Sequence, residues 1–153
     1  MLRSTAFRVP LLAAAIGWLA VPAAVISPRP MARLSFRGTL NGVAGGERSV
    51  WQGRVDGSVA GRVVIALRQV EDAREAANPV WHVASRWTVL DDAAARSFAG
   101  DLEGMIDWKA GTVRLGGPIT DGWSTGSWVE VTGRLVDGDL AGSASLSLPR
   151  SRE

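Results

Sequence analysis

The chain has 153 residues, with 17 basic and 15 acidic side chains, a single histidine, no tyrosine and no cysteine. The lack of cysteine excludes a disulfide framework, a thiol nucleophile and thiolate metal sites, so a hydrophobic core has to carry the stability. One histidine is too few for the usual metal centres, and the near balance of charge leaves no basic stripe of the kind that tracks nucleic acid.

The start, "MLRSTAFRVPLLAAAIGWLAVPAAVISP", sets Arg3 and Arg8 ahead of an uncharged stretch from Val9 to Ile26. A basic region, an apolar region and small residues at the exit describe a secretory signal peptide. Val21 and Ala23 fit the last positions before cleavage, so residues 1–23 are expected to be removed. An uncleaved membrane anchor is the alternative, since about 17–25 apolar residues span a bilayer; Pro10 and Pro22 shorten the usable helix. Cleavage takes two arginines from the 17 bases and no acid, leaving fifteen of each sign and a net charge of zero. The mature bases are arginines apart from Lys109, a bias expected of a GC-rich bacterium.

Residues 24–32 read as a linker, 33–148 as one domain and 149–153 as a tail. From Arg33 onward the pattern is almost wholly of period two. Leu34, Phe36, Gly38 and Leu40 alternate with Arg33, Ser35, Arg37 and Thr39. Trp51, Gly53 and Val55 share the next apolar face, and "DG" at Asp56–Gly57 signals a turn or bulge. Val59, Gly61, Val63, Ile65 and Leu67 follow. Val70–Pro79 reads as a solvated loop or short surface helix, and Leu90–Ser97 could hold a helical turn. Between them Trp81, Val83, Ser85, Trp87 and Val89 oppose His82, Ala84, Arg86 and Thr88. Phe98, Gly100, Leu102, Gly104, Ile106 and Trp108 form another face, opposite Asp101, Glu103 and Asp107. "KAG" at Lys109–Gly111 turns into Val113, Leu115, Gly117 and Ile119; "TDGWSTG" leads to Val129, Val131, Gly133 and Leu135; "DGD" at Asp137–Asp139 turns into Leu140, Gly142, Ala144, Leu146 and Leu148.

About eight strands with short turns predict an all-β fold, an up-and-down antiparallel barrel, with a β-sandwich as the alternative. Glycine recurs on the apolar face, and an aromatic-x-Gly-x-aliphatic-x-Gly pattern occurs three times, at Phe36–Gly42, Trp51–Gly57 and Phe98–Gly104. Strand-interior glycine costs roughly 0.5–1 kcal/mol relative to alanine. Sharp coiling of the strands and large tryptophans packed over glycines explain it in a small barrel; the other reading is a cavity floor for a ligand.

The predicted inward faces hold no ionisable side chain, and their polar atoms are those of Ser85 and the indole groups. An acid–base site inside the barrel is therefore not expected, and no catalytic residue, metal ligand or cofactor is assigned. His82 falls outside, beside Arg86. Asp101, Glu103 and Asp107 form an outer acidic row, the polar half of a strand rather than a carboxylate pair or a calcium site. Glu130 and Arg134 are expected to pair with neighbours. "GWSTGSW" at Gly122–Trp128 has no acid–histidine partners for its serines, and Trp123 there is placed to close a barrel mouth or touch a partner.

The segment "SFAGDLEGMIDWKAGTVRLGGPITDGWSTGSWVEVTGRL", with "DGDLAGSASL" after it, resembles the closing half of small exported barrels of the allene-oxide-cyclase/dirigent-like group. It is similar, more loosely, to lipocalins and avidins. The resemblance implies the barrel fold and association of the chain with itself as a trimer. Allene oxide cyclases isomerise a fatty-acid epoxide and dirigent proteins steer phenoxy-radical coupling in an apolar cavity; no catalytic residue carries over.

Three functional expectations follow for an exported protein of the periplasm, cell envelope or medium. The first is a module that binds an apolar small molecule or lipid without catalysis, through Trp51, Trp81, Trp87, Phe98, Trp108 and Ser85. The second is a structural or interaction barrel with a filled interior, whose interface includes Trp123 and Trp128 and whose partners include further copies of itself, as dimer or trimer. The third is an isomerase of the allene-oxide-cyclase type. Contact with a membrane is expected only if the N-terminal segment stays attached.

Overall fold

A computed structural model of the chain describes residues 30–44, 48–70 and 79–148. The expected signal peptide, most of the linker, the segment between Val70 and Pro79 and the tail at 149–153 lie outside the described residues. Eight strands follow one another: β1 Ala32–Ala44, β2 Arg48–Gly57, β3 Gly61–Gln69, β4 Val80–Asp91, β5 Phe98–Asp107, β6 Thr112–Gly122, β7 Trp128–Val136 and β8 Asp139–Ser147. Each pairs antiparallel with the next and β8 pairs back onto β1, so the sheet closes into a barrel. Closure settles the choice against a sandwich and leaves no strand edge with unpaired backbone groups.

The alternation read from the sequence is the alternation of burial. Leu34 and Phe36, Trp51 and Val55, Val63, Ile65 and Leu67, and Val83, Trp87 and Val89 are buried in one core with Leu102, Ile106, Val113, Ile119, Val131 and Leu146. At its centre Phe36 and Trp87 meet edge to face, 4.9 Å apart. Phe36 stands against the bare backbone of Gly142 and Gly133 on β8 and β7, while Trp87 lies opposite Gly100 on β5. Large rings thus fill the interior by facing glycines, as an eight-stranded barrel requires.

A second cause acts at Gly53, Gly104 and Gly117. A Cβ there would run into the neighbouring strand's backbone, at the carbonyl oxygens of Arg37, Arg114 and Asp101 respectively. The strands coil so tightly at these points that a side chain has no room. Gly42 and Gly57, which the repeated pattern places on the apolar face, are instead exposed, with φ of 119° and 117°. Gly42 sits at the register shift that follows Leu40, and Leu40 itself is exposed although it is the Cα partner of buried Trp51.

Other expectations also change. Trp108 is not inside: β5 ends at Asp107, whose carboxylate accepts the amides of Lys109 and Ala110 and so turns the chain, leaving Trp108 at the barrel's rim against Trp81. The same role takes Asp107 out of the free acidic row. Leu148 lies beyond the last paired residue and is exposed. Leu90–Ser97 forms no helix; the Asp91 carboxylate accepts the amides of Ala93, Ala95 and Arg96, which holds the loop as a series of turns. The β7–β8 connection is the two-residue turn Asp137–Gly138, both at positive φ (51° and 88°), the form that fits strand twist.

Candidate functional site

Of the residues expected to meet a ligand, Trp51, Trp87, Phe98 and Ser85 do converge inside, and they are fully engaged there. Trp51 Nε1 donates to the carbonyl of Gly138 at 2.8 Å. Trp87 Nε1 donates to Ser85 Oγ at 3.2 Å, and Ser85 Oγ donates to the carbonyl of Leu102 at 3.3 Å. Phe98 packs against Trp123 at 6.3 Å. Trp81 and Trp108 lie apart from these, at the rim formed by the β5–β6 connection, with centroids 5.1 Å apart. The apolar void bounded by Leu34, Phe36, Trp87, Phe98, Leu102 and Val129 measures about 10 Å³. That is the space of about one water, against roughly 300–1,000 Å³ for small-molecule sites.

Trp123 closes the opposite end. Its ring rests on Phe98, the guanidinium of Arg96 lies 5.7 Å from its centroid, and Arg96 donates to the carbonyl of Ser58 at 2.8 Å. Three loops are thereby tied over the core, and Trp123 is half-buried.

The outer wall carries the larger concavity. A groove of about 680 Å³ crosses from β3 to β7. Its floor is low because the outward positions there are small: Ala66, Ala84 and Gly116. At one side Trp128 opens β7, directed outward by the alternation that buries Val129. Its indole lies across β6, with Nε1 and Cζ2 3.4 Å from the point a Cβ of Gly116 would occupy. Beside it Pro118 is its Cα partner on β6.

The other side is polar, and β6 explains how. A register shift near Gly100 leaves one extra residue on β6, so Thr120 and Asp121 both reach the outer wall in succession. Arg86 on β4 bonds to both: one guanidinium nitrogen donates to Thr120 Oγ1 at 2.6 Å and to Asp101 Oδ2 at 2.9 Å, the other to Asp121 Oδ2 at 2.5 Å. The hydrogen bond from Arg86, then that from Thr120, holds the Asp121 carboxyl below its ordinary value, and its two carboxylate partners raise Arg86. Arg68 and Glu103 face each other across Ala84 in the same register and have no side-chain partner among the described residues. Glu130 is also without a side-chain partner among them, and Arg134 reaches only the carbonyl of Ala110, at 3.5 Å.

Ser85 and Ser127 are the buried polar residues among those described; the described ionisable side chains all lie at the outer wall or in loops. Among the described residues no group of three or more His, Asp or Glu is placed to hold a metal. His82 is half-buried on the outer wall, opposite Met105. Sequence reasoning reached Trp128 and missed the fork of Arg86, Thr120 and Asp121, because the extra residue on β6 breaks the alternation on which that reasoning stands. Comparison of the chain with protein-family models, curated proteins and solved structures found no match.

Proposed function

We propose that this chain is an exported barrel with a filled interior that works by holding another protein against its outer wall. The observation that carries the reading is Trp128: a large ring 43% exposed, seated over a glycine at the edge of a 680 Å³ groove, while the interior void is about 10 Å³. Tryptophan on a surface that is otherwise small and polar is the residue type that dominates binding energy at protein interfaces. The partner is an extended protein segment that sets an apolar side chain on Trp128 and Pro118 and brings an acid to Arg68 and a base to Glu103. Those two charges are open to such pairing because neither is satisfied within the described barrel. The rigid wall suits the role, since a closed sheet presents the groove without rearrangement and so with little ordering cost.

The test is photo-cross-linking in the native host, with a photoreactive residue in place of Glu130, which lies two positions from Trp128 on the same face. A single covalent protein adduct in the exported fraction is expected. Trp128→Ala should cut its yield by the roughly thirtyfold that follows from losing about 2 kcal/mol at an aromatic anchor, with the thermal midpoint of the barrel within about 2 °C of the parent. No adduct, or an adduct indifferent to Trp128, would sink the proposal.

A further inference from the structure

On β1, β2 and β3 the ladder sets arginine against arginine. Arg37 is the direct partner of Arg54, and Arg54 is the direct partner of Arg62. All three side chains are exposed on the outer wall. With adjacent strands about 4.8 Å apart, three positive charges stand within roughly 10 Å along a line around the barrel. The balanced composition did not lead one to expect this short basic row, because strand pairing, not composition, lines the three up. Like charges placed directly opposite on one sheet face destabilise it. Arg54 has a counter-charge, its guanidinium donating to Asp92 Oδ2 at 2.9 Å. Arg37 and Arg62 have no side-chain partner among the described residues. Arg33 adds a fourth base to this wall, four residues before Arg37, and Asp56 adds one acid, opposite Ser35.

The same wall is hollowed. A groove of about 460 Å³ lies over the paired strands β1 and β2, with Arg37 and Arg54 at its middle, Ser35, Thr39 and Gln52 beside them, and the carboxylate of Asp56 at the end next to Ser35. Guanidinium groups offer planar pairs of donors that match the oxygens of phosphate. The hydroxyls and the amide offer neutral donors for the remaining oxygens. The row bends with the barrel, so a short flexible anion follows it whereas a flat bilayer touches only part of it.

We propose that the Arg37–Arg54–Arg62 row binds a small soluble anion carrying at least two phosphate groups. Arg37 and Arg54 grip one group in the groove, and Arg62 takes the next; the repulsion among the three is what the bound anion relieves. The site lies on β1–β3, away from Trp128, and stands or falls independently of the protein-binding groove.

The experiment is thermal unfolding of the full chain with inorganic diphosphate, against sodium chloride at equal ionic strength. Diphosphate should raise the midpoint by about 5 °C beyond the chloride control, the size of shift produced by ligand at some ten times its dissociation constant. Arg37→Thr should abolish that shift and, without ligand, leave the midpoint equal or higher, because it removes the charge opposite Arg54. Arg62→Thr should reduce the shift at least twofold. Arg114→Thr, which removes an exposed arginine from β6 on another part of the wall, should leave it intact. No shift beyond chloride, or a shift equally reduced by Arg114→Thr and Arg37→Thr, would overturn the proposal.

Discussion

Gly104 and Gly116 are 12 residues apart and differ in what a methyl group would meet. At Gly104 a Cβ is driven into the backbone of β6, with Leu115 Cα at 2.8 Å, and backbone cannot step aside. At Gly116 it reaches the ring of Trp128 at 3.4 Å, an ordinary contact on the outer wall. Gly104→Ala is therefore expected to destabilise by about 2–3 kcal/mol through overpacking, and Gly116→Ala by less than about 0.5 kcal/mol. Urea titration of the two variants checks the order; equal losses would mean that strand coiling is not what keeps Gly104. That glycine lies inward on β5 was legible from alternation alone. Which backbone atom excludes the side chain was not, because the approach depends on how two strands far apart in sequence cross.

The β6 strand shows the same limit at the next scale. Its text, "TVRLGGPITDG", carries a warning in Pro118, since proline in a paired strand points to a bulge or an edge. The structure answers with a register shift opposite Ala99 and Gly100, and the consequence is a chemical one: Thr120 and Asp121 join Arg86. The pH dependence of this link has a definite sign. Asp121 holds its proton less tightly folded than unfolded, so its contribution to stability is present above the ordinary carboxylate value of 3.8 and is lost as pH falls through and below it. Arg86→Met removes the cause. The stability difference between parent and Arg86→Met is therefore expected to be steady from pH 7 to about 5 and to fade below about 4, which denaturant titrations at several pH values measure. The difference stays small throughout, because the groups are exposed and solvent screens them. A difference that grows on acidification would mean that the fork does not act through ionised Asp121.

Eight strands and their order could be read along the chain, and so could the inward set from Leu34 to Leu146, because a period of two is local. Closure is not local: the same alternation serves a sandwich, and only the pairing of β1 with β8 decides. Whether a barrel is hollow is less local still, since it turns on whether Phe36 from β1 reaches Trp87 from β4 across the lumen; it does, and the void beside the two rings is about 10 Å³. The candidate site followed the same rule. Trp128 was visible as an outward aromatic, whereas the groove beside it exists because Ala66, Ala84 and Gly116 come from three different strands. A filled interior makes a prediction that a hollow one does not. Phe36→Ala removes a ring from the void's own wall, so it should cost about 3–5 kcal/mol and leave a dry apolar cavity. Such cavities take up small hydrocarbons. Benzene should then raise the thermal midpoint of Phe36→Ala by several degrees and leave that of the parent unchanged. A parent protein stabilised by benzene as much as the variant would mean that the lumen already opens to apolar guests, and the interior rather than the outer wall would become the place to look for function.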